Sequence, residues 1–231
     1  MNRTYVIIVA AGTGSRFGSD IPKQFLPLGD DNSPVLMHTV RAFLLAGVRS
    51  DNIRLVLSET MFHFWRQLCL KHNFVSPPVV AGGTTRFQSV SNALDSISAH
   101  SADVVLVHDG ARPLVTPSLI SGVIDNIVNR GNPAAIPVIN VADSLREIVN
   151  PGKTVAVDRS RYVAVQTPQG FRADILKAAY RTPYRDTFTD DASVVEAAGT
   201  QISTVPGDTD NIKITTPRDL VIAQAILSSR K

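Results

Sequence analysis

Four short stretches of the chain hold the side chains that could do chemistry. In the first, VIIVAAGTGSRFGSDIPKQF (residues 6–25), an apolar run ends in Ala10, Ala11, Gly12 and Gly14, and two cations follow, Arg16 and Lys23, the second behind the stiff Pro22. Backbone N–H groups on residues this small can approach an anion and close around it. No Gly-Lys-Ser/Thr follows, so this is not a Walker A loop, and Gly18 falls one residue too late for the three-glycine dinucleotide fingerprint. Either cation alone is as readily a solvated surface charge. As a pair beside a glycine loop at the end of a first strand, where open α/β sheets hold ligands, they fit a clamp on a triphosphate.

The second stretch is VLVHDGARP (residues 105–113), in which an apolar strand delivers His108, Asp109, Gly110, Ala111 and Arg112 to the same edge. A carboxylate there, next to a polyphosphate, suits Mg²⁺, which takes one or two carboxylates plus phosphate oxygens. Asp109 is thus the candidate metal ligand, with a turn cap as the plain alternative. His108 reads more simply as a packed, hydrogen-bonded histidine, and Arg112 as an ion-pair partner or a ligand. In the third stretch, AGGTTRFQSVSNAL (residues 81–94), Gly82 and Gly83 precede a helix opened by Arg86 and Ser89, a place where a base or phosphate can meet backbone. In the fourth, GDTDNIKITTPRDL (residues 207–220), Lys213 alternates with Ile212 and Ile214 and so points away from them. FTDDAS (residues 188–193) has the form of an ordinary helix N-cap.

These stretches need elements to carry them. Short β-rich runs alternate with helix-period segments: strands at 5–9, 53–57, 79–80, 104–107, 134–141 and 202–205, helices at 35–46, 60–71, 87–97, 116–128, 173–180, 192–198 and 217–228. Such alternation predicts one domain over residues 1–231, a mostly parallel twisted sheet flanked by helices. Residues 141–165 break the rhythm. They alternate, turn at Asn150-Pro151-Gly152 and alternate again, which reads as a β-hairpin arm that either packs on its own domain or reaches a partner.

Bulk composition narrows the class. With 44% hydrophobic residues and 23 basic against 20 acidic side chains, and no basic run, the chain has no nucleic-acid footprint. No apolar run approaches the ~18 residues of a membrane span, and the apolar start is too short for a signal peptide. The single cysteine, Cys69, suits a core position and a reducing, cytoplasmic setting.

Taken in order, AAGxGxR…PKQF, GGxxRxxSV, VHDGARP, QTPQxF, TDDAS and NIKITTPxDL span nearly the whole chain, and together they resemble the 2-C-methyl-D-erythritol 4-phosphate cytidylyltransferase family of the non-mevalonate isoprenoid pathway. The resemblance implies a Rossmann-like nucleotidyltransferase fold and a Mg²⁺-dependent homodimer whose β-arm reaches the neighbouring subunit. It implies CTP over Ala10, Ala11, Gly12, Gly14, Arg16 and Lys23, with the base at Gly82, Gly83, Ser89 and Gly110. It places the polyol phosphate at Asp109, Arg112, Thr189 and Lys213, joined by Arg159 and Thr167 from the arm and its return. Arg16, Lys23 and Lys213 would carry the chemistry. Gly110 and Thr84 stand where the family often has alanine and an acidic residue. The related ribitol-5-phosphate cytidylyltransferases share most of these motifs, so the acceptor is either of two short polyol phosphates. An NAD(P)-dependent oxidoreductase would need an acidic residue ~20 positions beyond the glycines, and strand two ends only at Leu57-Ser58. A non-catalytic regulator on the same fold would have lost the cations, and all three are present.

Overall fold

The computed structural model describes residues 2–12 and 21–230. The sheet is built on β1 (Thr4–Val9), flanked by β4 (Ile53–Leu57) on one side and β6 (Val104–Asp109) on the other, both parallel to it. Alternate residues of β1 enter opposite cores: Val6 and Ile8 face the helices α1 (Val35–Leu45), α2 (Phe62–Lys71) and α4 (Pro117–Val128), whereas Tyr5 and Ile7 face α3 (Arg86–Asp95), α5 (Ala173–Ala179) and α6 (Asp191–Ala197). Strand β6 alternates in the same way. A strand covered on both faces has no polar side, which is why VIIV and VVLV read as unbroken apolar runs.

Strand β5 (Val79–Ala81) extends the sheet beyond β4, and β7 (Ala134–Asn140) with the parallel β12 (Ser203–Pro206) completes the parallel set. Two strands run against it. β10 (Val163–Val165) pairs with the far end of β7, and β11 (Gln169–Arg172) inserts between β7 and β6. β11 has only four residues, too few for a periodic signal, and was not expected from the sequence. The chain between β10 and β11 leaves the ladder at residues 166–168 and turns toward the end of β6.

The arm forms its own two-stranded sheet, β8 (Arg146–Asn150) with β9 (Lys153–Ala156), every residue of which is exposed. A small ribbon, β2 (Pro27–Leu28) with β3 (Ser33–Pro34), leads into α1 and packs with α7 (Pro217–Ser229) around Leu28, Val35, Leu114 and Ile214. Thr116 and Thr216 cap α4 and α7, each followed by a first-turn proline. Residues 211–215 hold no regular strand. Ile214 is nonetheless fully buried, with its N–H on the Ala111 carbonyl, and Lys213 is half-exposed on the opposite side.

Candidate functional site

The C-terminal ends of β1, β4, β5 and β6 open on one cleft of about 760 Å³. It lies where strand order reverses about β1, the place at which an open α/β sheet has room for a ligand. Ala10, Ala11 and Gly12 form its floor. The buried amide of Gln24 donates to the carbonyls of Ala10 (2.7 Å) and Gly12 (3.1 Å), which pins the start of the loop, and the adjacent Lys23 lines the cleft. Gly14 and Arg16 lie outside the described residues.

Gly82 and Gly83 make the opposite wall. A Cβ on Gly82 would stand 2.5 Å from the Ala11 Cβ, and one on Gly83 2.1 Å from Gln88 Cγ, so both positions exclude any side chain. Ser89 is buried, and its Oγ accepts the Gly83 N–H at 3.0 Å, holding the glycine turn in place. At Gly110 a Cβ would stand 2.8 Å from that of Ala10. An alanine here would push the β1 loop away, so Gly110 draws the two loops together.

Asp109 is the electrostatic centre. Its Oδ2 lies 3.0 Å from Lys213 Nζ and 3.4 Å from Arg112 Nε. Burial alone would raise the carboxyl's pKa. The charges of Lys213, Arg86 and Arg112 outweigh it and hold the group well below the usual carboxylate range. Residues 109 and 213 are far apart in sequence yet meet at one wall of the cleft. Arg112 also donates to the Asn211 carbonyl at 2.7 Å.

Arg86, the first residue of α3, pairs with Asp191 at 2.6 Å. Asp191 is fully buried, and its other oxygen accepts the Tyr180 hydroxyl at 2.6 Å. Burial would lower the Arg86 pKa, but Asp191 raises it, so the guanidinium stays charged. Asp190 is the expected N-cap, bonded to the Ser193 N–H. The pairing of residues 86 and 191 was not visible in the sequence.

His108 is the packed histidine expected of it, fully buried with its ring edge-on to Phe43. Its Nε2–H donates to the Arg112 carbonyl (3.1 Å), which leaves Nδ1 to accept the Thr167 hydroxyl (3.0 Å). The Thr167 Oγ1 in turn accepts the Asp109 N–H at 3.1 Å. Burial pushes this imidazole down to about 4. In acid the unfolded chain, with a histidine near 6.5, therefore takes up the proton first. The contribution is complete above that value and is lost as pH falls from about 6.5 toward 4, amounting to roughly 3 kcal/mol. Urea unfolding at pH 7 and 4.5 should show this loss, and His108→Gln should remove most of it. An equal acid loss in the variant would assign the titration to another group.

The chain matches, over residues 4–229, the family described as IspD, 2-C-methyl-D-erythritol 4-phosphate cytidylyltransferase. The chain belongs to this family. It is 46% identical over 228 residues to the 2-C-methyl-D-erythritol 4-phosphate cytidylyltransferase of Phocaeicola vulgatus, covering 98% of this chain and 100% of that one. It is 47% identical over 223 residues to the protein of the same name from Bacteroides thetaiotaomicron, covering 96% and 98%. The crystal structure of the 4-diphosphocytidyl-2C-methyl-D-erythritol synthase of Anaerococcus prevotii superposes with a TM-score of 0.79 at 26% identity, over 98% of this chain and 99% of that one.

In this cytidylyltransferase-family chain a smaller cavity of about 200 Å³ adjoins the main cleft, sharing Arg86, Asp109 and Lys213 with it and lined further by Arg112, Thr167 and Thr189. Arg159 lines neither cavity. It sits in a 3-10 turn of the arm, and its guanidinium donates to the Ala142 carbonyl. Buried glutamines hold the backbone around the smaller cavity. Gln166 bonds Asp208 in both directions (2.7 and 3.0 Å), and Gln169 joins the Asp190 carboxylate to the Ala192 N–H. The sequence motifs KQF and QTPQ contain these glutamines but say nothing of their work.

The same geometry tests the expected Mg²⁺. Among the described residues no group of three His, Cys, Asp or Glu is placed to hold a metal, and Asp109 Oδ2 already engages two cations. A metal carried in on phosphate oxygens would have Asp109 as a carboxylate within reach. Burial pushes the Cys69 thiol up to about 11, which marks a core residue and not a reactive one. No helix among the described residues is long and apolar enough to cross a membrane.

Proposed function

We propose that this chain transfers the cytidylyl group of CTP to 2-C-methyl-D-erythritol 4-phosphate in isoprenoid biosynthesis. A phosphate oxygen of the acceptor attacks the α-phosphorus, the bond to the bridging oxygen breaks, and pyrophosphate leaves. The observation that carries this reading, beside family membership, is the convergence of Lys23 and Lys213, from opposite ends of the chain, on one cleft floored by a small-residue loop.

The nucleophile is a phosphate monoester with a second pKa near ~6. It is mostly dianionic at neutral pH and needs no general base, in keeping with a neutral His108 tied up in the core. The obstacle is the meeting of two polyanions, and the protein's task is to position them and supply positive charge. Lys23, with Arg16, stabilises the crowded α-phosphate and the departing pyrophosphate. Lys213 holds the incoming phosphate, and Asp109 orients it and its own cations. Magnesium, bound with the nucleotide, would neutralise part of the triphosphate charge.

The cytosine lies against Gly82, Gly83, Ser89 and Gly110. The polyol phosphate occupies the smaller cavity between Arg112, Thr167 and Thr189. Arg159 lines neither cavity of its own chain, and its exposed arm suits a homodimer in which it serves the neighbour's site. A buried thiol suits a reducing cytoplasm.

The deciding experiment is pyrophosphate release from CTP with methylerythritol phosphate and ribitol 5-phosphate side by side. The methylerythritol phosphate should give a kcat/KM higher by about tenfold or more. A higher value for ribitol phosphate would reassign the acceptor, and no release with either would end the transferase reading.

A further inference from the structure

We infer that Asn211 is a positioning residue for the reaction, acting through Lys213. The inference rests on the transferase reading given above. Asn211 is fully buried at the junction of three segments that the site needs. Its backbone carbonyl accepts the Arg112 guanidinium at 2.7 Å, which ties it to the loop after β6. Its side-chain Nδ2 donates to the Thr167 carbonyl at 2.9 Å, which ties it to the return from the arm. Its N–H donates to the Asp208 carbonyl at 3.0 Å, closing the turn that Gln166 grips. Two residues later Lys213 Nζ reaches the Asp109 carboxylate.

Residues 211–215 have no strand or helix of their own to fix them. On the upstream side the position of Lys213 is therefore set by the bonds of Asn211, and on the downstream side by the buried Ile214. The donor end of the amide carries the load. Among the described residues Oδ1, though buried, has no hydrogen-bond partner. Aspartate has the same shape but lacks the N–H, and it would set an oxygen against the Thr167 carbonyl.

The test compares Asn211→Asp in two backgrounds, the full-length wild type and Lys213→Ala. Displacing a charge-stabilising group by about 1 Å can cost on the order of 10²-fold. In the wild-type background, kcat/KM for the acceptor should fall roughly 10- to 100-fold, with thermal unfolding retaining a single cooperative transition. In the Lys213→Ala background the same change should cost less than about threefold, because residues that act as a unit are non-additive. Asn211→Ser, which keeps a short donor, should recover part of the loss, and it carries the comparison if the aspartate variant does not fold. An equal fold-loss in both backgrounds, or no loss in the first, would overturn the inference. Failure of the transferase reading would show differently, as an inactive wild type.

Discussion

Replacing Lys213 by alanine lowers turnover by about 10²–10³-fold and leaves the protein folded. The magnitude is that of removing one charge-stabilising group aimed at a transition state. The folding claim comes from the anchors around it. Ile214 is buried and bonded to Ala111, and the Asn211 carbonyl is held by Arg112, so the backbone keeps its course when the half-exposed ammonium is gone. Asp109 then loses its nearest cation, with Arg112 and Arg86 remaining to keep it ionised. Lys23→Ala and Arg16→Ala should cut turnover by a similar factor, about 10²–10³, because charge builds on both sides of the reacting phosphorus. Steady-state rates beside thermal unfolding curves check all three. Near-wild-type rates in all of them would remove the clamp from the mechanism.

The largest effect on stability should come from Arg86→Ala. Asp191 has no exposed surface, and without the guanidinium its charge would rest, among the described residues, on the Tyr180 hydroxyl. Removing one partner of a buried pair costs about 3–5 kcal/mol. Arg86 is itself about a third exposed, at 31%, which places the expected loss near the lower end, about 3 kcal/mol. For a chain of this size that lowers Tm by about 10 °C. Arg86→Met combined with Asp191→Leu should recover most of it, since apolar replacement of the whole pair is often neutral. Calorimetry on the two variants decides the point. A double variant no more stable than the single one would show that the strain lies elsewhere.

The sheet was legible because its strands are buried on both faces, so β1 and β6 announce themselves as apolar runs. The cleft was legible for a related reason: its loops follow those runs, and their glycines and cations have no work in a core. The arm showed itself by the absence of helical period. What stayed hidden depends on pairing at a distance. Nothing in RFQSV or TDDAS says that Arg86 and Asp191 will meet, and Gln24, Gln166 and Gln169 act on backbone carbonyls and amides that only the folded chain brings within reach. β11 was missed because four residues between a proline and a helix carry no period. Arg159 shows the same limit from the other side: the family resemblance supplies the residue, but within one chain it lines neither cavity.

The double bond between Gln166 and Asp208 sits between the exposed arm and Thr167. A hairpin with no buried residue is easily bent by solvent or by a neighbour. The segment that leaves it is bolted to a second loop one residue before it reaches the end of β6. Gln166 therefore fastens the segment returning from the arm to the Asp208 loop one residue before Thr167, whose hydroxyl oxygen accepts the Asp109 N–H.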